Sequence, residues 1–119
     1  MPLSTQALEV IRQLRELNGR WKRVFPQQSN TQKPVSDNTV VHALYRMGYH
    51  SRMTGHGFRR LASTILNDNG FESDWIERQL AHSERDDVRA AYNHAQYLSE
   101  RRRMMQWWAD YLQQVRMKR

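Results

Sequence analysis

The chain has 119 residues, no cysteine and a net charge of +7, with an isoelectric point of about 10.4. That length suits one domain with a modest core, since folding at this size hides roughly two-thirds of the unfolded chain's surface. Without cysteine there is neither a disulfide framework nor thiol chemistry, and no stretch approaches the ~20 apolar residues of a membrane span or the apolar run of a secretory signal.

The pattern predicts about six helices in one all-α domain covering residues 1–119. Ser4 can cap a first helix carrying Ala7, Leu8, Ile11, Leu14 and Leu17 at steps of three and four, ended by Asn18-Gly19. Residues 26–35, PQQSNTQKPV, are polar, hold two prolines and read as a loop. Ser36 caps a second helix with Val40, Val41, Leu44 and Met47, stopped by Gly48. Thr54 caps a third with Phe58, Leu61, Ala62, Ile65 and Leu66, stopped by Gly70. Ser73 opens a short fourth holding Trp75, Ile76 and Leu80, a fifth surrounds Val88 to Tyr92, and the last runs from about Leu98.

All but three of the 19 basic residues are arginine, a residue suited to planar, bidentate contact with phosphate. Acidic residues crowd between Asp68 and Asp87, so the positive surface is expected elsewhere. Charge by itself favours nucleic-acid binding only slightly over a helical protein with a solvated basic face.

Four polar groups follow one another in a suggestive order: His56 and Arg59 in GHGFR, His82 in LAH, and Tyr92 in RAAYN. Such a set suits attack on a phosphodiester. Arginine clamps the phosphate, histidines hydrogen-bond its non-bridging oxygens and a phenol serves as nucleophile. His56 and Arg59 are three apart and share a helical face, with His56 in the first turn, where unpaired backbone N–H groups favour an anion. Gly55 and Gly57 are expected to leave that turn bare. An isolated His-x-x-Arg is more often a surface pair at a helix start, and His82 by itself reads as a helix C-terminal histidine. The flanks change that balance.

Residues 54–112, from TGHGFRRLAS through RQLAHSERDDVRAAYNHAQYL to RRRMMQWWADYL, resemble the end of tyrosine recombinases, and within them the prophage-integrase branch of the phage integrase family. The stretch covers about half of the chain, and residues 1–53 fit the preceding part of the same catalytic domain weakly. The resemblance implies the helical C-terminal portion of a recombinase catalytic domain. It implies cleavage and rejoining of DNA strands through a 3′-phosphotyrosine, without a metal or other cofactor and without a small-molecule substrate. In the family the histidine matching His82 hydrogen-bonds the scissile phosphate and the tyrosine matching Tyr92 attacks it. Tyr97 is the weaker rival for that role, and Tyr111 is expected to pack. Arg60, Ser36, Asn38 and His42 are further candidates for DNA contact. His94 reads as a surface histidine rather than a metal ligand with His82, Asp86 and Asp87.

The family also uses an earlier arginine and a lysine on a β-hairpin, and neither matches a position here. The chain is therefore expected to be inactive by itself, as an excised portion or a remnant of a longer integrase. The partners implied are double-stranded DNA and other integrase protomers, and the implied setting is the bacterial cytoplasm, at the nucleoid. The last helix, 98–117, carries Leu98, Met105, Trp108, Leu112 and Val115 as one apolar face. Its adjacent tryptophans point ~100° apart, which predicts that Trp107, or the Met104-Met105 pair, contacts another protomer or lies exposed. Two other classes compete with the enzyme: a DNA-binding protein placing the helix after Ser36 in the major groove, and an oligomerisation module built on the last helix.

Overall fold

A computed structural model describes residues 1–80 and 97–118. Among them the backbone forms five helices: α1 (Thr5–Asn18), α2 (Thr39–Arg46), α3 (Gly55–Asp68), α4 (Ser73–Leu80) and α5 (Leu98–Met117). The fold is all-α, as the periodicity requires, with one isolated antiparallel bridge between Pro26 and Pro34. The helix expected around Val88 to Tyr92 lies outside the described residues. Two compact units are present: Met1–Gln6 with Arg59–Arg119, and Ala7–Phe58.

Helix ends follow local chemistry. At Gly48 (φ +84°) and Gly70 (φ +80°) the chain enters the left-handed region that side chains avoid. The Gly48 N–H donates to Tyr45 O and the Tyr49 N–H to Leu44 O; the Gly70 N–H donates to Asn67 O and the Phe71 N–H to Leu66 O. Both are Schellman closures, which satisfy the last carbonyls of α2 and α3 and fold the next aromatic back toward the helix. Helix starts are less uniform. α2 begins at Thr39, three residues after the expected cap. The Ser36 hydroxyl instead accepts the Asn38 N–H at 3.4 Å within a turn, and Asn38, in the cap position, makes no side-chain capping bond. Ser73 does open α4, but its hydroxyl donates to Asn67 Oδ1 at 3.1 Å.

The first unit is built on a small core of Leu66, Ile76 and Met104, none more than 2% exposed, with Phe71, Trp75, Leu80, Met105, Trp107 and Trp108 packed around it. Beside this core Arg101 is buried, 1% exposed, and its Nε donates to Gln79 Oε1 at 3.1 Å. Gln79 Nε2 donates onward to the Pro2 carbonyl at 3.5 Å. Burial, and secondarily the charge of Arg78, pulls the Arg101 guanidinium down from its ordinary pKa. The N-terminal residues are tied to α5 as well. Thr5 donates through N–H and hydroxyl to Gln106 Oε1, and Gln6 Nε2 donates to Asp110 Oδ1 at 2.7 Å and to Gln113 Oε1 at 3.1 Å.

The face of α5 that packs is only partly the expected one: Met105 and Trp108 do pack against the core. Arg101, Met104, Trp108 and Tyr111, at steps of three and four, turn inward, whereas Leu98, Leu112 and Val115 are exposed. Met104 is wholly buried, so it is no protomer contact. Trp107 is half-buried, edge-on to Phe71 at 5.1 Å between ring centroids and stacked on Tyr111 at 5.4 Å. Trp108 also stacks on the same tyrosine, at 5.8 Å. Tyr111 thus packs, as expected, and its contacts with both indoles let the two adjacent tryptophans contribute. Accordingly Trp107→Ala should lower stability on the order of 1–2 kcal/mol, the share of a half-buried aromatic, and leave self-association unchanged. Thermal melts and sedimentation on the variant check this.

In the second unit Leu44 of α2 is buried and Val41 half-buried, while Val40 and Met47 are exposed. α1 has no buried residue: Ala7 and Leu14 are half-buried, and Leu8, Ile11 and Leu17 are exposed.

Candidate active site

α3 is opened by its expected cap. The Thr54 hydroxyl accepts the Gly57 N–H at 3.0 Å, and the Thr54 carbonyl accepts the Phe58 N–H at 3.2 Å. This satisfies one orphan donor of the first turn and fixes where the helix begins. His56 is thereby set in the first turn and Arg59 one turn on, both exposed. Neither takes a hydrogen-bond or ion-pair partner among the described residues. Thr54→Ala should cost about 1 kcal/mol, the usual value of such a cap, and fray the turn that carries His56. Amide exchange at Gly57 and Phe58 reads that fraying locally.

The two glycines of this turn differ. A side chain at Gly55 would meet open space, whereas a Cβ at Gly57 would lie 2.8 Å from Met53 Sδ. The expectation of a turn bare at both positions is therefore corrected. Gly55 leaves an open approach, but Met53 already covers Gly57.

From Asn38 to Asn67 the sequence contains no acidic residue but four arginines, Arg46, Arg52, Arg59 and Arg60. Arg60 is exposed beside Arg59. Ser36 and Asn38 are exposed in the turn before α2, and His42 is exposed on α2 with its ring edge-on to Tyr45 at 6.2 Å. A feature not legible in the sequence is the seating of His50. Its Nδ1 lies 2.9 Å from the Ser51 hydroxyl, its ring lies 4.3 Å from Tyr45, and Ser51 takes a left-handed φ of 60°.

His82, Tyr92 and His94 lie outside the described residues, so the structure brings together His56 and Arg59 on one helix and does not address their convergence with His82 and Tyr92. Tyr97, the rival nucleophile, is exposed in a left-handed conformation (φ 55°) just before α5. Its ring faces the Arg78 guanidinium at 5.6 Å and Trp75 at 6.4 Å. Among the described residues no three histidine, aspartate or glutamate side chains are grouped to hold a metal ion, and no helix is long and apolar enough to cross a membrane.

Comparison with known proteins places this helix in context. Residues 1–99 match the model of the Phage integrase family. The integrase of Enterobacteria phage P4 is 49% identical over 122 aligned positions, which take in 99% of this chain. Prophage integrase IntA of Escherichia coli K12 is 44% identical over 92% of the chain, and the integrase of Shigella phage Sf6 is 42% identical over 94%. No solved structure gives a significant match. The chain belongs to the phage integrase family. It spans 28%, 27% and 29% of the length of those three relatives.

Proposed function

We propose that this chain is the C-terminal portion of the catalytic domain of a site-specific tyrosine recombinase, with its motifs in residues 54–112. The enzyme cleaves and rejoins double-stranded DNA. The observation that supports this most is the family match, which runs through all four polar groups and is reinforced by 49% identity to a phage integrase. In this reading the Tyr92 phenol oxygen attacks the scissile phosphorus. A new bond to the 3′-phosphate forms, the bond to the 5′ oxygen breaks, and the leaving strand ends as a 5′-hydroxyl after taking up a proton. Attack by a 5′-hydroxyl on the phosphotyrosine reverses the exchange, so the bond energy is conserved without a high-energy cofactor.

Arg59 would hold two non-bridging oxygens in a bidentate fork, while His56 and His82 donate to the same phosphate as its charge grows. Arg60, Ser36, Asn38 and His42 would contact the flanking duplex, and further protomers would assemble on the DNA. Work at the bacterial nucleoid follows from such a substrate.

The test is covalent trapping on a nicked suicide duplex, with the chain placed in a full-length integrase framework. A denaturation-resistant adduct mapped by mass spectrometry to Tyr92 is expected. Duplex binding with no adduct would replace the enzyme by a protein that acts only by binding DNA.

A further inference from the structure

We propose that the loop joining α1 to α2 is a second DNA-contacting element, a clamp on the phosphate backbone separate from the groups on α3. This rests on the recombinase reading for its partner, but on different residues for its evidence. Between Glu16 and Asp37 the chain has four cations, Arg20, Lys22, Arg23 and Lys33, and no acid. Among the described residues none of the four enters an ion pair; the ion pair found there joins Arg12 to Glu9 at 3.8 Å.

The loop is built rather than slack. The Gln27 N–H donates to Lys33 O at 2.9 Å and the Val35 N–H to Phe25 O at 3.0 Å, closing a short hairpin around the Pro26–Pro34 bridge. Its tip is folded on itself, with the Asn30 N–H donating to Gln27 O, the Lys33 N–H to Asn30 O and the Gln32 N–H to Asn30 Oδ1. At the base, the Trp21 N–H donates to Asn18 O, and the Arg20 guanidinium lies over the Trp21 ring at 4.4 Å. A guanidinium held over an indole has less freedom to lose when it takes a phosphate. Lys22 and Arg23 are exposed, and Phe25 is 56% exposed beyond them.

A protein partner could cover Val24 and Phe25, but the cations flanking them make an anionic surface the better fit, and duplex DNA is the polyanion this family's name points to. Such a clamp contributes affinity and salt dependence without reading sequence.

The experiment measures binding to short duplexes of unrelated sequence across a salt series. Arg20→Ala/Lys22→Ala/Arg23→Ala should weaken binding equally on all duplexes and flatten the slope of log K against log salt by up to about 2.7, at about 0.9 per lost phosphate contact. Arg12→Ala/Arg15→Ala, which removes charge from α1 of the same unit, should leave the slope within about 0.9 of the parent. The single exposed change Lys22→Glu gives a readout if the triple variant misfolds, and it too should weaken binding and flatten the slope. Equal flattening in the α1 variant would reduce the effect to net charge and overturn the proposal, as would an unchanged slope in the loop variants. So would loss of self-association in the loop variants with DNA binding intact. If the parent, placed in the full-length integrase framework, forms the Tyr92 adduct while the loop variants keep the parental slope, the loop assignment alone falls. If the parent fails to bind duplex even at low salt, the recombinase reading falls with it.

Discussion

With the chain placed in a full-length integrase framework, Tyr92→Phe is expected to abolish the covalent protein–DNA adduct on a suicide substrate and to leave duplex binding in place. The change removes one oxygen, and with it the only atom able to form the phosphotyrosine, while ring volume and charge stay the same. An ordinary phenol has a pKa near 10, so the attacking oxygen must lose its proton as the bond forms, and nearby cations lower the barrier by stabilising the developing charge. Arg59→Ala should therefore also depress adduct formation, but through a slower reaction rather than a lost atom, so a residual adduct accumulates with time. The competing assignment has its own outcome. An adduct that persists in Tyr92→Phe and vanishes in Tyr97→Phe would move the nucleophile to Tyr97, whose ring already lies against Arg78.

The second large effect falls on stability. Met104 has no exposed surface and, among the described residues, shares its hydrophobic core with the buried side chains of Leu66 and Ile76. Met104→Ala should cost about 2–5 kcal/mol, because the neighbours can only partly collapse into the vacated space. In a domain of this size that lowers the melting temperature by roughly 10 °C or more. Met104→Leu, which nearly conserves volume, should cost less than about 1.5 kcal/mol. Leu112→Ala, on the exposed side of the same helix, should fall within about 0.5 kcal/mol of the parent. Similar losses in Met104→Ala and Leu112→Ala would mean that α5 packs through a different face.

Helix type and most helix ends were legible in the sequence because they depend on near neighbours. Gly48 and Gly70 sit where a left-handed residue closes the helix, and the Thr54 hydroxyl takes the Gly57 N–H three residues on, as a cap does. Ser36 misled because its hydroxyl had an alternative donor two residues on, in Asn38. The inward face of α5 was not legible for a different reason. A period of 3.6 gives the angles between side chains but not which stripe meets the core. Here a buried arginine lies on the packed stripe, and Gln79 of α4 makes that burial tolerable. Of the candidate site, the shared helix of His56 and Arg59 follows from spacing. The seating of His50 against Tyr45 and Ser51 depends on a turn that composition does not announce.

The tether between the N-terminal residues and α5 bears on the order in which this unit folds. Gln6 finds its partners at Asp110 and Gln113, more than a hundred positions later. The Pro2 carbonyl likewise depends on Gln79, which stands far along the sequence. These bonds can form only once both ends of the unit are present, so docking of the N-terminal segment on α5 follows the local formation of the helices. Its rate is governed by closure of one long loop rather than by the fast local formation of its helices.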